Sequence, residues 1–490
     1  LLDSDQPDAW FKLGHEYLDL AARLAYRGAH LYRESAWGHR FLGDLFFQRG
    51  RWEGAVNEYQ KALGIATVPQ QPGLHTSLGQ AYLHAHKLEE AETEFRLTLQ
   101  LDSQNELAWL GLANTQLAGN QAIAALASLG KIWEISPEFL AAQREFPSIE
   151  LPQESAKASL SRVHDRSEGA ASHFLIAALY AATNESARAD REWKSFQTDF
   201  SAWQQASNAT AEVHADQDPC KAHRYSRCIG SLQARRRLTD SERLLLGKMY
   251  FTLQQYERAA DPLAQVRGAT SENAEASYWL ARTYQALGAD AYARLQESFP
   301  GSWRTYQLRA EGYALRGDFD NALKEFQAVL QLHPNEPELH EALGELYLDH
   351  KNDDAARTEL ERALALDPSR AHALYLLGRL YVQKRENVKA LPYLQRALRL
   401  QPGLAGASSL LGTAYVRLGQ FANAIPTLEK AAPSDHYGSV HYQLYEAYRK
   451  LGQAELARKE LARSQDLRRR YLERDEALIM GSPQPEPEPQ

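Results

Sequence analysis

The residues with most capacity for chemistry gather in one short stretch. Cys220 and Cys228, the two cysteines of the 490-residue chain, stand among His214 and His223. Three readings of this group stay open. On one continuous helix, residues eight apart are separated by about 12 Å, beyond the reach of a disulfide. Pro219 before the first cysteine and Gly230 after the second leave room for a turn, so a short-range disulfide suited to an oxidising compartment is one reading. Two free thiols are the second. A zinc site built from His214, Cys220, His223 and Cys228 is the third, although this spacing matches no familiar ligand pattern.

Other groupings carry less. His84 and His86, two residues apart, cannot share one face of a helix. Glu341 and Glu345 are four apart, a spacing common to solvated helical acids. No glycine-rich phosphate loop, nucleophile elbow or metalloprotease histidine pair occurs. The sequence therefore predicts a non-catalytic chain without cofactor or metal.

The elements that must position these residues follow a fixed period. Leu343-Gly344-Glu345-Leu346-Tyr347, then Ala356, Leu360, Ala363 and Pro368, recur one period later as Leu377-Gly378, Tyr381, Ala390, Leu394, Ala397 and Pro402. The next period brings Leu411-Gly412, Tyr415, Ala424, Leu428 and Ala431. In this frame, units begin near residues 7, 36, 72, 106, 170, 240, 274, 303, 337, 371, 405 and 438. The eleventh position is aromatic in every unit except at Gln116, and the twentieth is Ala in every unit except at Tyr26. The eighth is Gly seven times and Ala four times, as befits a place where two helices approach closely.

This pattern resembles the tetratricopeptide repeat, a two-helix unit of about 34 residues, in its long multi-repeat bacterial form. The resemblance covers about four fifths of the chain and implies an all-α fold: a right-handed superhelical solenoid of antiparallel helix pairs, about twelve units long. The units starting at 7 and 274 are each 29 residues long. An offset of 267 superposes Leu13, Tyr17, Gly50, Ala55 and Tyr59 on Leu280, Tyr284, Gly317, Ala322 and Phe326, and an offset of 265 then superposes Leu74-His75 and Leu78-Gly79 on Leu339-His340 and Leu343-Gly344. Residues 7–139 and 274–404 therefore read as copies of one four-unit block, with chance agreement within one repeat family as the alternative.

The expected organisation is an N-terminal repeat block at 1–139 and an irregular central segment at 140–239 with one repeat-like unit at 170–203. A C-terminal array with a capping helix follows at 240–478, and a Pro/Glu tail at 479–490, which cannot pack and is expected to be disordered. The central segment also carries the basic run Arg235-Arg236-Arg237.

In the family that the repeats resemble, the first helix of each unit lines the concave groove, chiefly at positions two, five, nine, twelve and thirteen. Carried onto this chain, those positions select Phe174, Leu244, Lys248, Phe251, Tyr278, Arg282, Tyr375 and Arg379 as candidate ligand contacts. Lys248, Phe251, Tyr278 and Arg282 combine aromatic faces with two cations, a chemistry suited to an extended peptide with an acidic group. The opposing reading is a ladder of neighbouring charges at position nine, Arg282, Glu311, Glu345 and Arg379. Family members that hold the carboxylate of chaperone tails use Lys at five and Asn at nine, and Arg40 with Asp44 does not match that pair.

Composition limits the partners. Fifty-five Lys and Arg against 63 Asp and Glu leave a net charge of −8, with no basic surplus for nucleic acid. The longest apolar run, Phe174–Ala182, is far short of a membrane span. The expected function is a scaffold that binds a protein or peptide in its groove. Two alternatives stand: a structural subunit of a homo-oligomer or filament, using an uncovered end near Trp10-Phe11, and an adaptor for an enzyme on another chain. The excess of Arg over Lys, two Met and two close Cys favour an exported bacterial protein, periplasmic or secreted, with a cytoplasmic one as the alternative.

Overall fold

The structure is a computed structural model. It describes all residues except 1–5, 33–34, 66–71, 144–145, 147–150, 164–168, 210–219, 221–223, 268–269, 316, 436 and 480–490. The Pro/Glu tail therefore lies outside the described residues, apart from its first residue, Ile479.

Twenty-five α-helices and one 3-10 turn, with no strand, make up the regular structure of the described residues. Ten antiparallel hairpins start where the sequence frame expects them. They are α2/α3 (Ala36–Gln48, Trp52–Ile65), α4/α5 (Pro72–His84, Leu88–Leu101), α6/α7 (Glu106–Ala118, Ala122–Ile135), α10/α11 (Ala170–Ala182, Ser186–Ala209) and α13/α14 (Asp240–Thr252, Tyr256–Ala264). The later ones are α16/α17 (Trp303–Leu315, Phe319–Leu332), α18/α19 (Pro337–Asp349, Asp353–Leu366), α20/α21 (Ala371–Gln383, Asn387–Leu400), α22/α23 (Ala405–Arg417, Phe421–Ala431) and α24/α25 (Ser439–Lys450, Ala454–Ile479). Between α7 and α10 lie α8 (Pro137–Ala142) and α9 (Gln153–Val163), and α12 (Tyr225–Gln233) precedes α13.

One backbone position turns every hairpin. The fifteenth residue of each of the ten units has positive φ: Gly50, His86, Asn120, Asn184, Gln254, Gly317, Lys351, Arg385, Gly419 and Gly452. The left-handed conformation ends the first helix and reverses the chain. The two short units differ. Each is one unbroken helix, α1 (Pro7–Leu31) and α15 (Thr270–Ser298). Their fifteenth positions, Ala21 and Gly288, stay helical, and a unit five residues short has no chain to spare for a reversal.

The chain divides into two compact units, one of residues 13–290 and one of residues 1–12 with 291–480. In the first, α1 and α15 serve as each other's partners. A Cβ on Gly288 would lie 2.7 Å from Leu18 and 3.1 Å from the carbonyl oxygen of Gly14, and the rings of Tyr17 and Tyr284 stack at 5.9 Å. In the second, Phe11 faces Tyr292 at 6.4 Å, and Asp8 accepts a 2.6 Å hydrogen bond from Nε of Arg304. Phe11 is buried and Trp10 lies beneath the Arg294 guanidinium, so the end expected to be uncovered at Trp10-Phe11 is covered.

Where position eight of a hairpin is Gly, the side chain at position twenty-four fills the space that a Cβ would need. A Cβ on Gly378 would come within 2.4 Å of Leu394. Five hairpins carry a further clasp, a histidine Nδ1 bonded to a glutamate nineteen residues on. The pairs His39–Glu58, His75–Glu94, His173–Glu192, His340–Glu359 and His441–Glu460 span 2.5–2.8 Å. The Nε2 of His340 faces the Pro334 carbonyl at 3.0 Å, so both ring nitrogens meet acceptors and only the imidazolium satisfies both. The hydrogen bond to Glu359 raises the His340 pKa above its ordinary value, against the opposing pull of burial.

The hairpin geometry sets two expectations. Lys351→Gly relieves a left-handed non-glycine residue at an exposed turn and should stabilise the protein by about 0.5–1 kcal/mol in denaturant unfolding. For His340, a raised folded-state pKa gives stability that is fully present below pH 6.5 and is lost as pH rises through the folded value. His340→Gln should cost about 1.5–3 kcal/mol near pH 5.5 and progressively less above neutrality, as read by unfolding across that range.

Candidate functional site

In the unit of residues 13–290, α13 opens with a capping box. Thr239 Oγ1 accepts from the Glu242 amide, and the Glu242 carboxylate accepts from the Thr239 amide at 2.8 Å. This cap sets the register that puts Lys248 and Phe251 on one face of α13, three residues apart. On α15, Glu275, Trp279 and Arg282 recur at intervals of four and three residues and also share a face.

The two faces meet. Lys248 Nζ donates to Glu275 Oε1 at 2.8 Å and lies 5.7 Å from the Trp279 ring centroid. Phe251 packs edge-on against Trp279 at 5.2 Å and against Tyr256 at 5.3 Å. The Arg282 guanidinium stands 5.4 Å from Phe251 and 5.7 Å from Trp279. Burial would lower the Arg282 pKa, but nearby Tyr278, Asp44 and Tyr59 hold it above its ordinary value. Three expected contacts, Lys248, Phe251 and Arg282, are thus brought together, and all are part-exposed.

Three others are core side chains. Phe174 is 2% exposed among Phe146, Trp193 and Phe196. Leu244 is buried in the same core cluster, and Tyr278 is 1% exposed against Trp37 and Phe41. None can touch a ligand without displacing what covers it. The expectation fails for them because α10, α13 and α15 are covered on both flanks, so position five is not always a groove position. Trp279, missed in the sequence, completes the patch; its signal was its place beside Tyr278 and three residues before Arg282.

Tyr375 and Arg379 lie on α20, in the unit of residues 1–12 with 291–480. Tyr375 sits 5.7 Å from the His372 ring, and Arg379 donates to Asp349 at 2.8 Å. Arg379 takes Asp349 rather than Glu345, and Glu311 accepts from Gln307 at 2.8 Å. Burial raises the Glu345 carboxyl above the usual range. Arg370 meanwhile binds Glu338 and Glu341 together, beside an open cavity also lined by Asp367 and His372.

Cys220 and Cys228 form a disulfide, with Cα atoms 4.8 Å apart. No thiolate is left for zinc, and His214 and His223 lie outside the described residues. Among the described residues no group of three or more His, Cys, Asp or Glu is placed to hold a metal ion. The bond secures α12, whose Tyr225 donates to the buried Glu106 at 2.9 Å and whose Ser226 amide donates to Glu138 at 2.9 Å. Among the described residues, no helix is long and apolar enough to cross a membrane.

Ten hairpins with shared constraints at positions eight, fifteen and twenty-four define an all-helical repeat protein. Profiles described as tetratricopeptide repeat match residues 313–380, 373–405 and 405–432, and one described as TPR repeat matches 43–84. The chain is a tetratricopeptide-repeat protein, and its repeats support a protein-interaction scaffold. Among solved structures, MamA is 27% identical over 34% of this chain and 96% of its own, with a TM-score of 0.31. A MamA from Desulfovibrio magneticus RS-1 is 23% identical, covering 34% and 95% of the two chains, with a TM-score of 0.32. YrrB, described as a TPR protein with an unusual peptide-binding site, is 21% identical over 39% of this chain and 98% of its own, with a TM-score of 0.32. No curated protein matches.

Replacing both cysteines by Ala opens the short loop closed by the disulfide. The double variant should unfold about 2 kcal/mol more readily, and the reductant sensitivity of the native chain should be absent from it.

Proposed function

We propose that the chain binds an extended segment of a partner protein on the patch of Lys248, Phe251, Trp279 and Arg282. The observation that carries this reading is the meeting of two part-exposed aromatic rings with two cations on adjoining helices. An apolar or aromatic side chain of the segment lies against Phe251 and Trp279. An acidic side chain of the segment replaces Glu275 on Lys248. That exchange costs little, because a part-exposed pair contributes only about 0–1 kcal/mol. Tyr375 and Arg379, four residues apart on α20, offer a further ring and a further cation, with Asp349 as the carboxylate to be displaced. The scaffold acts by holding its partner, with no chemical step, and an enzyme on another chain is one partner it could present. The disulfide supports an oxidising compartment.

Lys248→Glu combined with Phe251→Ala should weaken partner capture about tenfold or more, with circular dichroism unchanged. Arg282 is left intact in this test because it is tied into neighbouring helices. Equal capture of the same partner by wild type and variant excludes the patch.

A further inference from the structure

Beside that patch, α2 brings a second arginine to α15. Arg40 is 5% exposed, and its guanidinium lies 4.3 Å from the Tyr278 ring centroid and 5.3 Å from that of Trp37. Arg282 lies 5.9 Å from the same Tyr278 ring and donates to its hydroxyl at 3.4 Å. Two cations thus share one buried phenol. Arg40 Nη2 donates to the Gly73 carbonyl at 3.2 Å, while its Nε is buried and has no hydrogen-bond partner.

The negative charge at hand falls short of this. Neither guanidinium forms an ion pair among the described residues. Asp44 is the acid that acts on Arg282, and its Oδ1 already accepts a 2.5 Å hydrogen bond from the buried hydroxyl of Tyr59. The carboxylate that acts on Arg282 is therefore shared with a phenol. A buried cation left without a counter-charge is strongly unfavourable, and stacking on a ring offsets only part of that cost. Solvent reaches the stack at Trp37 and Arg282, both part-exposed. A guanidinium edge with free N–H donors fits the two oxygens of a carboxylate.

We propose that Arg40 and Arg282, which share the covered Tyr278 ring, form a receptor for a carboxylate, which supplies the counter-charge that both lack. The site deepens the reading given above, in that the partner's segment would carry an acidic group reaching past the Phe251–Trp279 patch. The carboxylate accepts from the free Nε edge of Arg40 and from Arg282, and no covalent step is involved.

The test uses the full chain and acetate as the probe. Sodium acetate is titrated against sodium chloride at equal ionic strength while the thermal midpoint is followed. The expected result is a saturable rise with acetate that chloride does not give. Arg40→Lys keeps the charge but loses the planar edge, and should weaken acetate binding at least tenfold. If that variant does not fold, Arg282→Lys, on the part-exposed side, is read in its place. The acetate response of the wild-type chain is read without any partner protein, so failure of the receptor and failure of the patch are told apart. Equal responses to acetate and chloride, or unchanged acetate affinity in the lysine variant, overturn the proposal. So does a response to inorganic phosphate without one to acetate.

Discussion

Everything in this protein depends on how closely two helices can lie together. Where a glycine backs onto a leucine or an aromatic ring, as Gly378 does onto Leu394, the side chain of one helix occupies the space that a Cβ of the other would need. That contact fixes the rotation of each helix, and rotation decides which residues face the next unit. The phenol of Tyr82 is then placed to accept from Gln60, and that of Tyr415 from Gln395, in the preceding hairpin. Packing of this kind divides the core into separate clusters between neighbouring helices, so stability is a sum of local terms rather than the property of one centre.

The same constraint explains the two short repeats. Each lacks the residues to fold back, so each meets the close-approach requirement with the other. Gly14, Leu18 and Gly288 do for α1 and α15 what position eight and position twenty-four do within a hairpin. This pairing brings α15 against α2, and with it Tyr278 and Arg282 against Arg40. The candidate site is therefore a product of the pairing as much as of the repeat.

The ten hairpins were legible in the sequence because their constraints recur at one period, and Tyr347, Tyr381 and Tyr415 marked it. The fate of the short repeats was not. Tyr17 and Tyr284 satisfy the consensus whether a unit folds on itself or onto a partner in the distant half of the chain, and no local pattern separates the two. Lys248 and Phe251 stood out in the sequence because they occupy positions nine and twelve of their unit. Phe174 and Tyr278 were misread, because a position that faces the groove in an average unit is covered by Phe146 and α11 in one case and by α2 in the other. The histidine–glutamate clasps left a spacing of nineteen in the sequence, which joins two helices and so has no helical period to reveal it. Arg40 gave no sign of its role, because its unpaired charge shows only once its neighbours are known.

The close approach at Gly288 holds α1 and α15 together, and a single substitution gives that contact a sign. Gly288 is inside a 29-residue helix, where replacing Gly by Ala should stabilise by about 1 kcal/mol if helix propensity alone decides. The added methyl would instead meet Leu18 at 2.7 Å and the Gly14 carbonyl at 3.1 Å. Equilibrium unfolding of Gly288→Ala is predicted to show a loss of stability of about 1–3 kcal/mol. A variant as stable as the wild type, or more stable, would contradict the pairing on which the fold and the site are built.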